Sequence, residues 1–153
     1  MSLWDDSEAW ARARGAEGCG ICRRGVPGDA LAVLEGSWVG MPEDGPMRGY
    51  CFLMALEHAV ELHDLSDGAA AAFMRDARIV SAAIQRVTGA VKMNYEIHGN
   101  TVPHLHMHIF PRYAGDPFVG RPIDPASIRH PVYAPSEYQP LRAAIRDALE
   151  RSA

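Results

Sequence analysis

Three observations predict an α+β fold. Residues 91–98 and 104–110 each alternate apolar and polar side chains, and a short stretch with Gly99 and Pro103 joins them, as in an antiparallel hairpin. Residues 66–87 instead repeat apolar side chains at helical spacing. Residues 50–56 form an unbroken apolar run, the signature of a central strand buried on both faces.

Taken in order, residues 5–16 read as a short helix with Asp5 or Asp6 as N-cap and Trp10 as its buried residue. Gly15, Gly18 and Gly20 break it, and Cys19-Gly20-Ile21-Cys22 reads as a tight turn. Residues 30–34 and 37–41 read as two strands turning at Gly36. The apolar run 50–56 ends at Glu57-His58. Ser66 is a good N-cap for the long helix, with Asp67 at the positive end of its dipole and Leu65 packing back. Phe73, Ala77, Val80, Ile84 and Val87 make its buried stripe, and Gly89 ends it.

In the hairpin, Val91, Met93, Tyr95 and Ile97 form an apolar face against that helix. Asn94 lies on the polar face beside the next strand's histidines. Pro111 is expected to stop that strand. Six prolines between 111 and 135 make the following stretch an extended tail over the surface. A last helix begins at Ser136, with Gln139 completing a capping box and Leu141, Ile145 and Leu149 facing inward.

The 153 residues, 48% hydrophobic and 22% charged, fit one soluble domain spanning 1–153. Its core is residues 19–113, followed by the tail and last helix, 114–153. A net charge of −4 argues against a nucleic-acid polymer as partner. No apolar run is long enough to span a bilayer, and Asp5 and Asp6 stand where a signal peptide has bases, so the expected location is the cytoplasm. Three cysteines there do not make a disulfide framework.

His104-Leu105-His106-Met107-His108-Ile109-Phe110 is the stretch with the most chemistry in it. On a strand its three imidazoles share one face, roughly 6.5–7 Å apart. A cupin-like metal site would need a glutamate soon after, and the next one is Glu137. Convergence of three in-line imidazoles on one tetrahedral ion is strained. A neutral imidazole can instead attack phosphorus and form a phosphoramidate that water then breaks. Cys19 and Cys22 form a C-x-x-C pair that suits half a zinc site or a redox couple.

This motif resembles the H-φ-H-φ-H-φ-φ signature of the histidine triad family of nucleotidyl hydrolases and transferases. Gly99-Asn100-Thr101-Val102-Pro103 resembles the family's approach to the triad, and Pro111-Arg112 its exit. The resemblance covers roughly residues 19–113. It implies an α+β fold with an antiparallel sheet of about five strands, in subunits that usually form homodimers. It further implies that the middle histidine, His106, attacks the α-phosphorus of a nucleotide, that His108 bonds the phosphate or helps the leaving group, and that His104 completes the catalytic set. Asn94, Asn100 and Thr101 would contact phosphate, and Ile21, Leu31 and Leu53 would wall the base. Some members carry a structural zinc, whose ligands here would be Cys19, Cys22, His58 and His104.

The family's ribose-holding acid has no clear counterpart in Trp38-Val39-Gly40-Met41, and the nearest acids are Glu43 and Asp44. His98 is an extra histidine near the site, read first as a surface residue. The expected function is hydrolysis of a nucleoside phosphoramidate, dinucleoside polyphosphate or related conjugate. The alternatives are a nucleotidyltransferase or phosphorylase, a non-catalytic nucleotide-binding protein, and a thiol redox protein.

Overall fold

A computed structural model describes residues 3–152; Met1, Ser2 and Ala153, at the two ends of the expected domain, lie outside the described residues. Five strands form one open antiparallel sheet: β1 (Ala32–Val33), β2 (Ser37–Gly40), β3 (Cys51–Ala55), β4 (Lys92–Glu96) and β5 (His106–Arg112). Their spatial order is β1-β2-β3-β5-β4, so the histidine strand lies between β3 and the edge strand β4. The helices are α1 (Ser7–Arg14), α2 (Gly20–Arg24), α3 (Asp67–Thr88) and α4 (Tyr138–Glu150). The α+β class and the five-stranded sheet agree with the expectation. None of the described helices is long and apolar enough to cross a membrane.

Directly opposed residues share a face. The register therefore puts Val39, Leu53, Met107 and Ile109 on one side of the sheet. They join one apolar cluster with Phe73, Ala77, Val80 and Ile84 of α3 and Leu141, Ile145 and Leu149 of α4. Each such side chain contributes roughly 1.5–3 kcal/mol by leaving water. Val87, at the end of the expected stripe, is only partly buried.

The ends of α3 follow from local chemistry. Ser66 Oγ accepts the Ala69 N–H, and Gly89 takes the left-handed conformation at φ 72° that a Cβ would strain. At Gly36 the backbone comes so close to α3 that a Cβ would lie 2.7 Å from the Phe73 nitrogen. Buried Asp76 of α3 seals this contact, accepting the Gly36 N–H at 2.9 Å and the Ser37 hydroxyl at 2.7 Å.

Several local expectations are corrected. A 3₁₀ turn (Leu3–Asp5) precedes α1, and no α1 residue is buried; Trp10 is half-buried, edge-on to Trp4. Cys19 is not in a tight turn but is the N-cap of α2. β5 starts at His106, not His104, and runs through Pro111, because β3 begins only opposite Ile109 and leaves that flank of Pro111 without a ladder to break. On β4 only Met93 of the apolar face is buried, because α3 covers the central strands; Val91, Tyr95 and Ile97 are exposed. α4 starts at Tyr138 with Glu137 at its N-cap, and Ser136 takes φ 63°. The proline-rich tail does more than lie on the surface. Its Phe118 and Ile123 are buried with Met47, Tyr50 and Phe110 against the histidine face.

Candidate functional site

The other face of the sheet carries the motif side chains in rows. Gly40, Phe52, His108 and Glu96 stand in one row across β2, β3, β5 and β4, and Trp38, Met54 and His106 in the next. The far end of the Phe52 ring closes on Gly40, where a Cβ would meet it at 2.2 Å. At one end of the rows Trp38, Phe52 and Glu43 line a hollow of about 440 Å³, together with Asp29. At the other end Asn94, Glu96, Arg112 and Arg121 line a second, of about 550 Å³. The histidine pair stands between them.

Hydrogen bonds fix the state of each ring. His106 Nδ1 is 2.7 Å from the His104 carbonyl. A carbonyl only accepts, so Nδ1 carries the hydrogen and a neutral His106 keeps a lone pair on Nε2. His108 stands edge-on to it, with ring centres 5.0 Å apart. Its Nδ1 is 2.6 Å from the Tyr50 hydroxyl. Burial, then the acidic groups of Cys51 and Glu96, push the Tyr50 phenol well above its ordinary range, so it keeps its proton and donates it. His108 thus accepts at Nδ1 and carries its own hydrogen on Nε2. Burial, then His106 and His98, hold its pKa down to about 4, so the ring stays neutral.

Buried Arg112, at the end of β5, organises the side of the site next to β4. It forms a two-pronged ion pair with Asp116 at 2.8 Å, donates to Asn94 Oδ1 at 2.6 Å and reaches the Phe118 and Arg121 carbonyls. With Oδ1 occupied and one N–H toward the Met93 carbonyl at 3.5 Å, Asn94 has its other amide N–H to offer. Hydrogen bonding to Arg112 brings the Asp116 carboxyl down to about 2.

Beside the sheet, Cys19, Cys22, His58 and His104 gather with all ligand atoms within 4.8 Å of one another. His104 Nδ1 is 3.4 Å from Cys19 Sγ and 3.6 Å from Cys22 Sγ, and His58 Nδ1 is 3.2 Å from Cys22 Sγ. Sulfur and nitrogen on one tetrahedral zinc would stand about 3.6 Å apart. Both rings donate Nε2–H to a backbone carbonyl, His104 to Ala55 at 2.8 Å and His58 to Arg14 at 2.7 Å. Each therefore turns a bare Nδ1 toward the sulfurs, as a metal ligand held by a backbone partner does. Burial, then Cys19 beside it, raises the Cys22 thiol pKa. The donor set fits zinc.

The structure thus separates His104 from the other two histidines: it precedes β5 and is buried in the cysteine corner. Leu31 and Leu53 do not wall a ligand, since both are buried in the core under the opposite face. Ile21 lines a hollow of about 270 Å³ with Cys22, Trp38 and His58. Asn100 and Thr101 are exposed on the loop between β4 and β5. Sequence reasoning missed Tyr50, Phe52 and Asp29, which carry no motif and reach the site only through strand pairing. Arg112 had a signal, its place just after the triad.

The family model for the HIT domain matches residues 41–115. Among solved structures, a histidine triad protein of Bradyrhizobium japonicum is 30% identical over 78% of this chain and 89% of its own, with a TM-score of 0.68. One from Marinobacter aquaeolei is 25% identical over 81% and 90%, with a TM-score of 0.68. A zinc-bound histidine triad family protein of Mycobacterium smegmatis shares the fold at 19% identity, over 90% and 96%, with a TM-score of 0.65. No curated protein matches the sequence.

Proposed function

This chain belongs to the histidine triad family, which supports a nucleotide-binding or hydrolase-type function, and we propose that it hydrolyses nucleotidyl conjugates through a covalent nucleotidyl-His106 intermediate. The observation that carries this reading is the His106 ring. Its Nδ1–H is tied to the His104 carbonyl, so the Nε2 lone pair is the one presented beside His108.

In the first step His106 Nε2 bonds to the α-phosphorus while the bond to the leaving group breaks. His108 Nε2–H and the Asn94 amide donate to the phosphate oxygens and stabilise charge there. The nucleoside takes the hollow beside Trp38 and Phe52, where Asp29 or Glu43 accepts from the sugar hydroxyls. Water then attacks phosphorus, and the P–N bond breaks back to His106.

Zinc held by Cys19, Cys22, His58 and His104 would tie α2 to the sheet. His104, whose carbonyl orients His106, would link that corner to the site without touching substrate. The exposed Tyr95 of the edge strand, with exposed Val91 and Ile97 just beyond its two ends, supports a homodimer, tested by sedimentation of the wild type against Tyr95→Asp.

The direct test of the reaction is incubation with adenosine 5′-phosphoramidate and with diadenosine polyphosphates, followed by intact-protein mass measurement after rapid acid quench. Turnover, with one nucleotidyl group on His106, is expected. Absence of turnover, or turnover undiminished in His106→Ala, overturns the reading.

A further inference from the structure

Glu96 and His98 stand beside His108 and have no part in the reaction so far. His98 Nε2 is 2.9 Å from Glu96 Oε2, and its ring centre is 5.8 Å from that of His108. Glu96 is opposite His108 in the strand register and lines the hollow on the β4 side. The carboxylate accepts from Nε2, so Nδ1 is the ring nitrogen left to face a ligand. The His98 side chain is 52% exposed and the Glu96 side chain 22% exposed, so the imidazole opens outward while its partner is held in the sheet. A carboxylate that orients an imidazole whose other nitrogen is free is the arrangement of a general acid–base pair.

Position says which group it serves. Along the row Gly40, Phe52, His108, Glu96, the aromatic hollow lies at one end and the Glu96–His98 pair at the other. A nucleoside over Phe52 leaves the other substituent on phosphorus to lie toward β4. Resting on the hydrolase reading above, we propose that His98, oriented by Glu96, is the general acid–base for the leaving group. The substrates that need it are conjugates whose leaving group departs as a strong base, amines above all.

The chemistry balances. As His106 Nε2 bonds to phosphorus, the P–N bond to the amine breaks with its electron pair on nitrogen, and His98 Nδ1–H supplies the proton. The neutral His98 then takes a proton from the water that enters on the vacated side. The P–N bond to His106 breaks with its pair returning to Nε2, and the nucleoside monophosphate leaves. His98 ends protonated, as it began.

A leaving group that needs no proton bypasses this pair, and that is the test. Wild type, His98→Ala, Glu96→Gln and the double variant are compared on adenosine 5′-phosphoramidate and on adenosine 5′-(p-nitrophenyl phosphate). Expected is a loss of about 10²-fold in kcat/KM on the phosphoramidate in all three variants, with less than about threefold on the nitrophenyl ester. The double variant is expected to be no slower than His98→Ala, which marks Glu96 as a positioning residue acting through His98. Retained nitrophenyl activity shows that the variants fold. Equal losses on both substrates, or none on the phosphoramidate, overturn the assignment. Failure of wild-type protein to turn over either substrate removes the hydrolase reading, and this one with it.

Discussion

His104 and His106 come from one motif, two residues apart, yet present opposite ring nitrogens. His104 gives its Nε2–H to the Ala55 carbonyl and turns Nδ1 toward two sulfurs. His106 gives its Nδ1–H to the His104 carbonyl and keeps Nε2 bare. The difference is made by backbone oxygens alone. A carbonyl that claims one nitrogen decides which lone pair is left, and so decides whether the ring suits a metal or an electrophile.

The largest effect that would break this contrast is at the bare Nε2. His106→Ala should lower phosphoramidate turnover at least about 10⁴-fold in kcat, read by product release, with the thermal midpoint nearly unchanged. At the other ring the balance reverses. His104→Ala or Cys22→Ser should abolish bound zinc, read by elemental analysis, and cost several kcal/mol in chemical denaturation. Chelation of the wild type should move it the same way.

The contrast is sharpened at Tyr50. Tyr50→Phe leaves His108 Nδ1 without its donor and frees the ring to change tautomer. A fall of about tenfold in kcat is expected, with KM little changed. The smallest effect is outside the histidines. The folded Asp116 carboxyl titrates near 2 against an ordinary 3.8, so its pairing with Arg112 is fully present above pH 3.8 and is lost as pH falls toward 2. Asp116→Asn should cost about 1–2 kcal/mol at neutral pH and flatten the acid side of the stability curve. An Asn variant as stable as wild type would show that the tail is held by its apolar contacts alone.

What was legible in the sequence was what neighbours along the chain decide. The caps at Ser66 and Gly89, the apolar stripe of α3 and the hairpin of β4 and β5 depend on local periodicity and cap chemistry. The cysteine and histidine cluster was legible through resemblance, and its four residues do converge. What was not legible depends on partners far away. Ser136 lost the start of α4 because Glu137 is held by Arg48, 89 residues earlier, at 2.5 Å. Tyr50 has no motif, and only the strand order brings it to His108. Leu31 and Leu53 were carried over from the resemblance, and the motif does not say which face of the sheet packs on α3; the register turns both into the core.

The guanidinium at the end of β5 has a practical consequence for anyone shortening this protein. The stretch that matches the family model ends at residue 115, one position before Asp116 and ahead of the Phe118 and Arg121 carbonyls that Arg112 also holds. A fragment cut there would keep all three triad histidines. It would also leave a sheltered positive charge with Asn94 as its remaining partner, beside the histidine face of the sheet.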